Sequence, residues 1–227
     1  MIQNTPRYFE RALSIMIALI IPPLLVMIGV RLAMTTTFVS FEYHRPDFPF
    51  DFYGFTLEDR LRYAPYALDY LMNGEDIDFL GDLTFPGGSP LFNNRELRHM
   101  QDVKVITEWA YRAAVGLGVV LIAASVILWQ RGRWHLRAGI RAGGLLTLAL
   151  IMLIIVLAFV SWDVFFTAFH QAFFEGDSWL FLTSDTLIRL FPEQFWFDAA
   201  IFIGGVAAIG ALILVVFAQR WKPERHI

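Results

Sequence analysis

The chain has 227 residues, of which 57% are hydrophobic and only 17% are charged. Its mean hydropathy is +0.54, and a water-soluble fold of this length could not bury so much apolar surface. The formal net charge is −3 and the pI is about 5.9, which leaves no basic excess for binding nucleic acid. Cysteine is absent, which excludes thiol catalysis, thiolate metal sites and disulfides.

Four stretches are long and apolar enough to cross a bilayer, since a spanning helix needs about 20 apolar residues. They cover residues 12–33, 110–130, 142–161 and 199–218. The first contains Pro22-Pro23, which should kink it. We interpret it as a retained helix, because its apolar run is too long for a signal peptide and no small-residue cleavage pattern follows. The predicted fold class is therefore an all-α membrane protein with four transmembrane helices.

Charge is distributed unevenly between the connections of these spans. The two chain ends and the 131–141 loop carry nine basic and two acidic residues, whereas 34–109 and 162–198 carry seven basic and nineteen acidic ones. Positively charged connections stay on the cytoplasmic side of a membrane. We therefore expect both termini to be cytoplasmic, with 34–109 as an extracytoplasmic cap and 162–198 as a second extracytoplasmic segment.

The cap is longer than a connection between helices requires. Residues 38–55 are rich in Phe and Tyr, which is typical of a surface on lipid or of an apolar pocket. Residues 56–72 predict an amphipathic helix with Thr56 as its N-cap and Asp59 at the capping-box position. Residues 86–90 predict a turn.

A further helix is predicted to begin at Asn93, with Glu96 at its capping-box position, and to continue into the second span. Its helical period places Arg95, His99 and Asp102 on one face.

The second extracytoplasmic segment carries His170 within an almost wholly apolar stretch. We expect a helix that presents Asp163, Phe166 and His170 on one face and ends near 175–177. Asp185 and Arg189 are spaced as an i,i+4 ion pair.

The two histidines are the main candidates for chemistry, because imidazole titrates near neutrality and suits proton transfer. A metal centre has little support without an HExxH motif or cysteine, and the GxSxG motif of serine hydrolases is absent. Histidines and ion pairs on an outer surface more often have a packing role. A non-enzymatic binding or scaffold protein therefore remains open, as does a b-type haem held between His99 and His170.

Two motifs resemble those of the lipoprotein intramolecular transacylase family of bacterial membrane proteins. One is NRELRHMQDVK at 94–104, and the other is the run of paired phenylalanines around His170 followed by Trp179 and DTLIRLFPEQFW at 185–196. Their order and the four spans match the family over nearly the whole chain.

The resemblance implies an enzyme of the bacterial cytoplasmic membrane with its active site at the outer face. Such enzymes move the sn-2 acyl chain of a diacylglyceryl-cysteine lipoprotein onto the cysteine α-amino group, giving a lyso-form lipoprotein. Lipoproteins and membrane lipid would be its partners, with no cofactor or metal. We assign His99 and His170 as the catalytic pair, with Asp102 orienting His99 or stabilising its cation, and Lys104, Arg189 or backbone donors polarising the ester carbonyl. The other supporting or substrate-positioning residues are Arg95, Asp185, Trp162 and Trp179.

Overall fold

The computed structural model describes residues 8–174 and 176–221, and within these ranges the chain folds into helices without a strand. The helices are α1 (Tyr8–Ala33), α2 (Thr36–Tyr43), α3 (Leu57–Met72), α4 (Asp78–Gly81), α5 (Asn94–Arg131), α6 (Arg133–Val160), α7 (Trp162–Phe173), α8 (Thr186–Leu190) and α9 (Glu193–Arg220). The predicted all-α class is confirmed.

Four of the helices, α1, α5, α6 and α9, are long and apolar enough to cross a membrane. Each contains nearly all of one predicted span. α1 continues as one helix through Pro22 and Pro23. The predicted 131–141 loop is wrong, because α5 ends at Arg131 and α6 begins at Arg133. Of the four arginines in this segment, Arg131 ends α5 and the other three lie in the first turns of α6. Arginine is a good helix former.

The described residues form two compact units, and α5 contributes to both. The first comprises residues 8–30, 111–157 and 203–221. Its interior holds apolar side chains of α1, α5 and α6, including Ile17 and Leu128, neither of which is exposed. α6 comes close to α1 at Gly139, where the β-carbon of any larger residue would lie 2.7 Å from the carbonyl oxygen of Ser14. Small residues permit such close packing between membrane helices.

The second unit comprises residues 31–110 and 158–202, so the two segments predicted to be extracytoplasmic fold together. Tyr43 donates a hydrogen bond to the Leu190 carbonyl at 2.8 Å. Arg60 of α3 donates to the carbonyls of Pro49 and Arg189. These bonds link α2, α3 and the 44–55 connection to α8.

Several local predictions for the second unit are confirmed. Thr56 caps α3 in a reciprocal capping box with Asp59. Residues 86–90 form a turn, in which Gly88 adopts a φ of +82°. The aromatic stretch 38–55 is divided, because its first part lies in α2, where Phe38 and Tyr43 are buried. Phe50 and Phe52, which follow α2, are exposed.

Candidate active site

The start of α5 is fixed by the predicted capping box. The Asn93 side chain accepts a hydrogen bond from the Glu96 backbone at 3.1 Å, and Glu96 accepts one from the Asn93 backbone at 2.7 Å. Glu96 is only 1% exposed and also accepts from the Leu187 backbone at 2.7 Å. Burial raises the pKa of this carboxyl. One side chain therefore caps α5 and attaches α8 to it, one turn before His99.

Asp185 forms further contacts with the start of α5, and its ion-pair partner is not the predicted one. Its carboxylate accepts hydrogen bonds from Arg95 at 2.9 Å and from Asn93 at 3.0 Å. It also accepts from the backbone of Leu182 at 2.8 Å. The predicted Asp185–Arg189 pair is wrong, because the partner of Asp185 is Arg95. Asp185 has extended backbone at the N-cap position of α8, outside the helical geometry that an i,i+4 pair requires.

Arg189 pairs instead with Asp51, at 3.0 Å. It also donates to the Tyr53 carbonyl at 3.2 Å, and its guanidinium lies 3.6 Å from the centre of the Phe55 ring. Burial favours a raised pKa for Asp51, but the hydrogen bonds from Arg189 and the Phe55 backbone and the positive charges of Arg189 and Arg60 together lower that pKa. The guanidinium thus holds the connection between α2 and α3 in place.

Lys104 is likewise engaged away from the histidines. Its ammonium is buried and donates to the Glu75 carbonyl at 2.6 Å and to the Asn73 side chain at 3.2 Å. It also lies 4.1 Å from the centre of the Tyr70 ring. Lys104 therefore anchors the end of α3 to α5, and we assign it no part in polarising a substrate carbonyl.

His99 of α5 and His170 of α7 come together in an aromatic environment. Their ring centroids are 6.5 Å apart and their planes differ by 23°. Phe174 contacts both rings, at 4.8 Å from His99 and 5.7 Å from His170. Phe181 lies against His99, and Trp179 lies 5.0 Å from His170. The two imidazole rings therefore belong to one aromatic cluster.

The protonation pattern of His170 follows from its hydrogen bond to the backbone. Its Nδ1 lies 2.8 Å from the carbonyl oxygen of Phe166, one turn earlier in α7. A carbonyl can only accept, so Nδ1 carries the hydrogen. In the neutral ring Nε2 then holds a lone pair, which makes His170 a proton acceptor at that atom.

Burial keeps both rings neutral at physiological pH. Desolvation, with a smaller contribution from the neighbouring His170, lowers the pKa of His99 to about 4, against a partial opposing effect of Asp102. Desolvation also lowers the pKa of His170, although the bond to Phe166 opposes it. An imidazolium formed at either position is therefore a stronger acid than one in water.

Asp102 lies one turn beyond His99 and accepts a hydrogen bond from the Ser178 hydroxyl at 3.2 Å. His99 Nδ1 is buried without a hydrogen-bond partner in the described structure, so Asp102 does not orient the ring through that atom. Asp102 and Ser178 line a cavity of about 850 Å³, together with Arg95, Arg98 and Phe174. This cavity offers a charged wall beside an aromatic one.

The remaining histidines and the tryptophans lie as follows. His44 is exposed at the end of α2, where its Nδ1 lies 2.6 Å from the Ser40 carbonyl. His135 lies in α6 of the first unit, and His226 lies outside the described residues.

Trp162 packs edge-on against Phe197, with centroids 5.1 Å apart. The indole nitrogens of Trp162 and Trp179 are buried without a partner in the described structure.

Sequence analysis missed two contributors to the site. Phe181 is one of 22 phenylalanines in the chain, and no local signal distinguished it, whereas Phe174 belongs to the paired phenylalanines around His170. Ser178, the partner of Asp102, belongs to a segment 76 residues further along the chain.

Known proteins resemble this chain in sequence and in fold. Residues 13–196 match the family model for lipoprotein intramolecular transacylase Lit. An uncharacterized protein of Aquifex aeolicus (strain VF5) is 27% identical over 213 residues, which cover 90% of this chain and 93% of that protein. A structure of the membrane integral transacylase Lit from Bacillus cereus has a TM-score of 0.80 at 18% identity, covering 94% of this chain and 96% of that one. A second structure of that protein, with a histidine mutated to arginine, has a TM-score of 0.74 at 18% identity and covers 93% of this chain and 91% of that one. Because the family model matches most of its length, the chain belongs to the lipoprotein intramolecular transacylase family of membrane-integral enzymes.

Proposed function

We propose that this enzyme transfers the sn-2 acyl chain of a diacylglyceryl-cysteine lipoprotein to the α-amino group of the same cysteine. The observation that carries the proposal is the pair His99 and His170, 6.5 Å apart within an aromatic environment. Membership of an enzyme family speaks against a scaffold or a haem protein.

The reaction is balanced within one substrate molecule. The amine nitrogen attacks the ester carbonyl, a C–N bond forms, and the C–O bond to the glyceryl oxygen breaks. The amine loses a proton and the departing alkoxide gains one. No co-reactant is needed and no covalent bond to the enzyme forms, which suits a chain without cysteine.

In this mechanism His170 is the base, because its Nδ1 hydrogen bond to Phe166 leaves Nε2 free to accept the proton of the attacking amine. The proton taken by His170 then passes to His99, and the His99 imidazolium donates it to the departing alkoxide. Both rings are thereby returned to the neutral state. Burial makes either imidazolium a strong acid, which favours protonation of the alkoxide. Asp102 stabilises positive charge on His99 at a distance.

The larger task is to fold a flexible lipid head group so that the amine meets the ester. Positioning of this kind contributes up to about 7–11 kcal/mol. Aromatic rings around the histidines, including Phe174 and Phe181, provide apolar contacts for an acyl chain and exclude water. The polar cavity beside Asp102 accommodates the peptide that follows the modified cysteine.

We further propose that the histidines face the outer side of the bacterial cytoplasmic membrane, where matured lipoproteins are anchored. The support is the excess of acidic residues in 34–109 and 162–198 and of basic residues in the other connections.

The test is to express the chain in a bacterial host that lacks lipoprotein N-acylation and to analyse lipoprotein N-termini by mass spectrometry. The wild-type chain should produce the lyso form. His99→Asn and His170→Asn should each lower its rate of formation by about 10²–10⁴-fold, the usual contribution of a general acid or base.

His135→Asn is the matched control, since His135 lies in α6 of the first unit, and it should retain full activity. Membrane levels of all variants are compared by immunoblot. Near-full activity in both site variants would refute the histidine mechanism. Loss in only one variant would indicate a single base with a non-histidine acid.

A further inference from the structure

Two indole N–H groups are buried and lack a hydrogen-bond acceptor in the described part of the chain. They are the Nε1 atoms of Trp162 and Trp179. An indole nitrogen can only donate, and leaving a buried donor unpaired is destabilising. Donors of this kind usually have a partner, so an unpaired one calls for an explanation such as a ligand. A bound substrate would offer each of them an acceptor.

The surroundings distinguish the two indoles. The Trp179 ring lies 5.0 Å from the His170 ring, at an angle of 31°. The ring contacts of Trp162 are with Phe165, Phe166 and Phe197. Trp179 is therefore the indole in direct contact with a proposed catalytic group.

A hydrogen-bond donor at the reacting carbonyl oxygen accelerates acyl transfer. When the amine attacks, the carbonyl oxygen becomes negatively charged, and a donor fixed at that position stabilises the charge most effectively where water is excluded. The cations considered from the sequence have other partners, because Lys104 is bound to Glu75 and Asn73, and Arg189 is paired with Asp51. A neutral N–H beside His170 is better placed to serve.

We infer that the Trp179 indole N–H donates a hydrogen bond to the oxyanion formed from the sn-2 ester carbonyl. This inference rests on the proposed function. No proton is transferred, because the N–H only stabilises charge that develops and then disappears as the C–O bond breaks. The interaction is strongest in the transition state, so its loss lowers kcat more than it raises KM.

The experiment uses the purified full chain in detergent with a synthetic diacylglyceryl lipopeptide. Trp179→Phe keeps an aromatic ring but removes the N–H. We expect kcat to fall by about 10²–10³-fold, the effect of removing one oxyanion donor. KM should change by less than about threefold, because ground-state contacts remain. Trp129→Phe is the control, since Trp129 lies in the first unit and stacks on Trp221, and it should behave as the wild type.

A second variant separates the hydrogen bond from ring packing. Replacing Trp179 by benzothienylalanine, in which sulfur takes the place of the N–H, preserves the shape of the indole. This variant should lose kcat to the same extent while its thermal unfolding temperature stays close to that of the wild type. A kcat equal to that of the wild type in the benzothienylalanine variant would overturn the inference. Trp162→Phe is assayed in parallel, and a fall in kcat in that variant alone would also overturn the inference. Those results would leave the proposed function intact, whereas a wild-type chain without transacylase activity would overturn both.

Discussion

The histidines should take up protons, and so stop working, only well below the pH at which an ordinary histidine does. His170 must be neutral to accept a proton from the amine and His99 must be neutral to receive it from His170, and the fold lowers the pKa of both. A lowered pKa means that the neutral ring persists as the pH falls through 6.5. The part of the acid limb of kcat that is caused by histidine protonation is therefore shifted to lower pH.

The magnitude follows from the pKa of about 4 for His99. At pH 6.5 a free imidazole is about half protonated. At that pH a group with a pKa of about 4 is protonated to less than about 1%, and at pH 5 to about 10%. His99 is therefore not a source of activity loss between pH 7 and pH 5.5. The pKa of His170 is also lowered, so the loss of activity caused by protonation of His170 is centred below pH 6.5 as well.

The assay is the pH dependence of kcat for a synthetic diacylglyceryl lipopeptide at saturating concentration. The α-amino group of the substrate titrates at about 7.7–8.0, so the first loss of activity on acidification comes from the amine, and the loss caused by the histidines follows as a steeper fall at lower pH. NMR titration of labelled histidines, assigned with His99→Asn and His170→Asn, gives the two values directly. An acid limb at or above pH 6.5, matched by a site imidazole that titrates there, would refute the reasoning.

Three further predictions concern Asp102, Arg189 and the topology. Asp102→Asn should lower kcat by no more than about tenfold, less than either histidine variant, because Asp102 acts on His99 through charge alone; a loss as large as that of His99→Asn would contradict this. Arg189→Gln should lower the free energy of unfolding by about 3–5 kcal/mol, because Asp51 is left buried and unpaired. Thermal unfolding measures the change, and the double variant with Asp51→Asn should recover part of the loss. A reporter fused after residue 227 should register a cytoplasmic location, and an extracytoplasmic signal would contradict the proposed orientation.

Local sequence signals predicted local structure well. Thr56 and Asn93 are each followed, three residues later, by an acidic residue at the reciprocal capping position. Both cap their helices in this way. Capping depends on neighbours three residues apart, so the sequence contains all the information required. The 131–141 prediction failed because a cluster of arginines indicates which side of the membrane a segment occupies. It does not indicate whether that segment is helical.

The partners of the charged residues were not predictable in the same way. Asp185 and Arg189 are four residues apart, yet their partners, Arg95 and Asp51, are 90 and 138 residues away. Helical spacing predicts a pair only when both residues lie within one helix, and Asp185 lies at the cap of α8. The same limit applies to Lys104, whose partners belong to the end of α3. The structural role of Lys104 follows only from the three-dimensional fold.

The approach of the two histidines depended on the fold of the whole second unit. Each histidine lies in a helix that the sequence predicted, and the helical face of each was also predicted. What brings α7 and α5 together includes the Glu96 and Asp185 contacts to the 182–187 segment, which no periodic pattern encodes. The catalytic roles themselves remain a prediction.

The central claim is that an acyl chain moves from ester to amine within one lipoprotein molecule. It is tested most directly by incubating the purified enzyme with two synthetic diacylglyceryl lipopeptides that differ in peptide mass, only one of which carries an isotopically labelled sn-2 chain. Mass spectrometry should find the label as an N-linked amide on the peptide that brought it, with its S-glyceryl group left singly acylated. Label on the amine of the other peptide, or loss of the labelled chain as free fatty acid without amide formation, would contradict the claim.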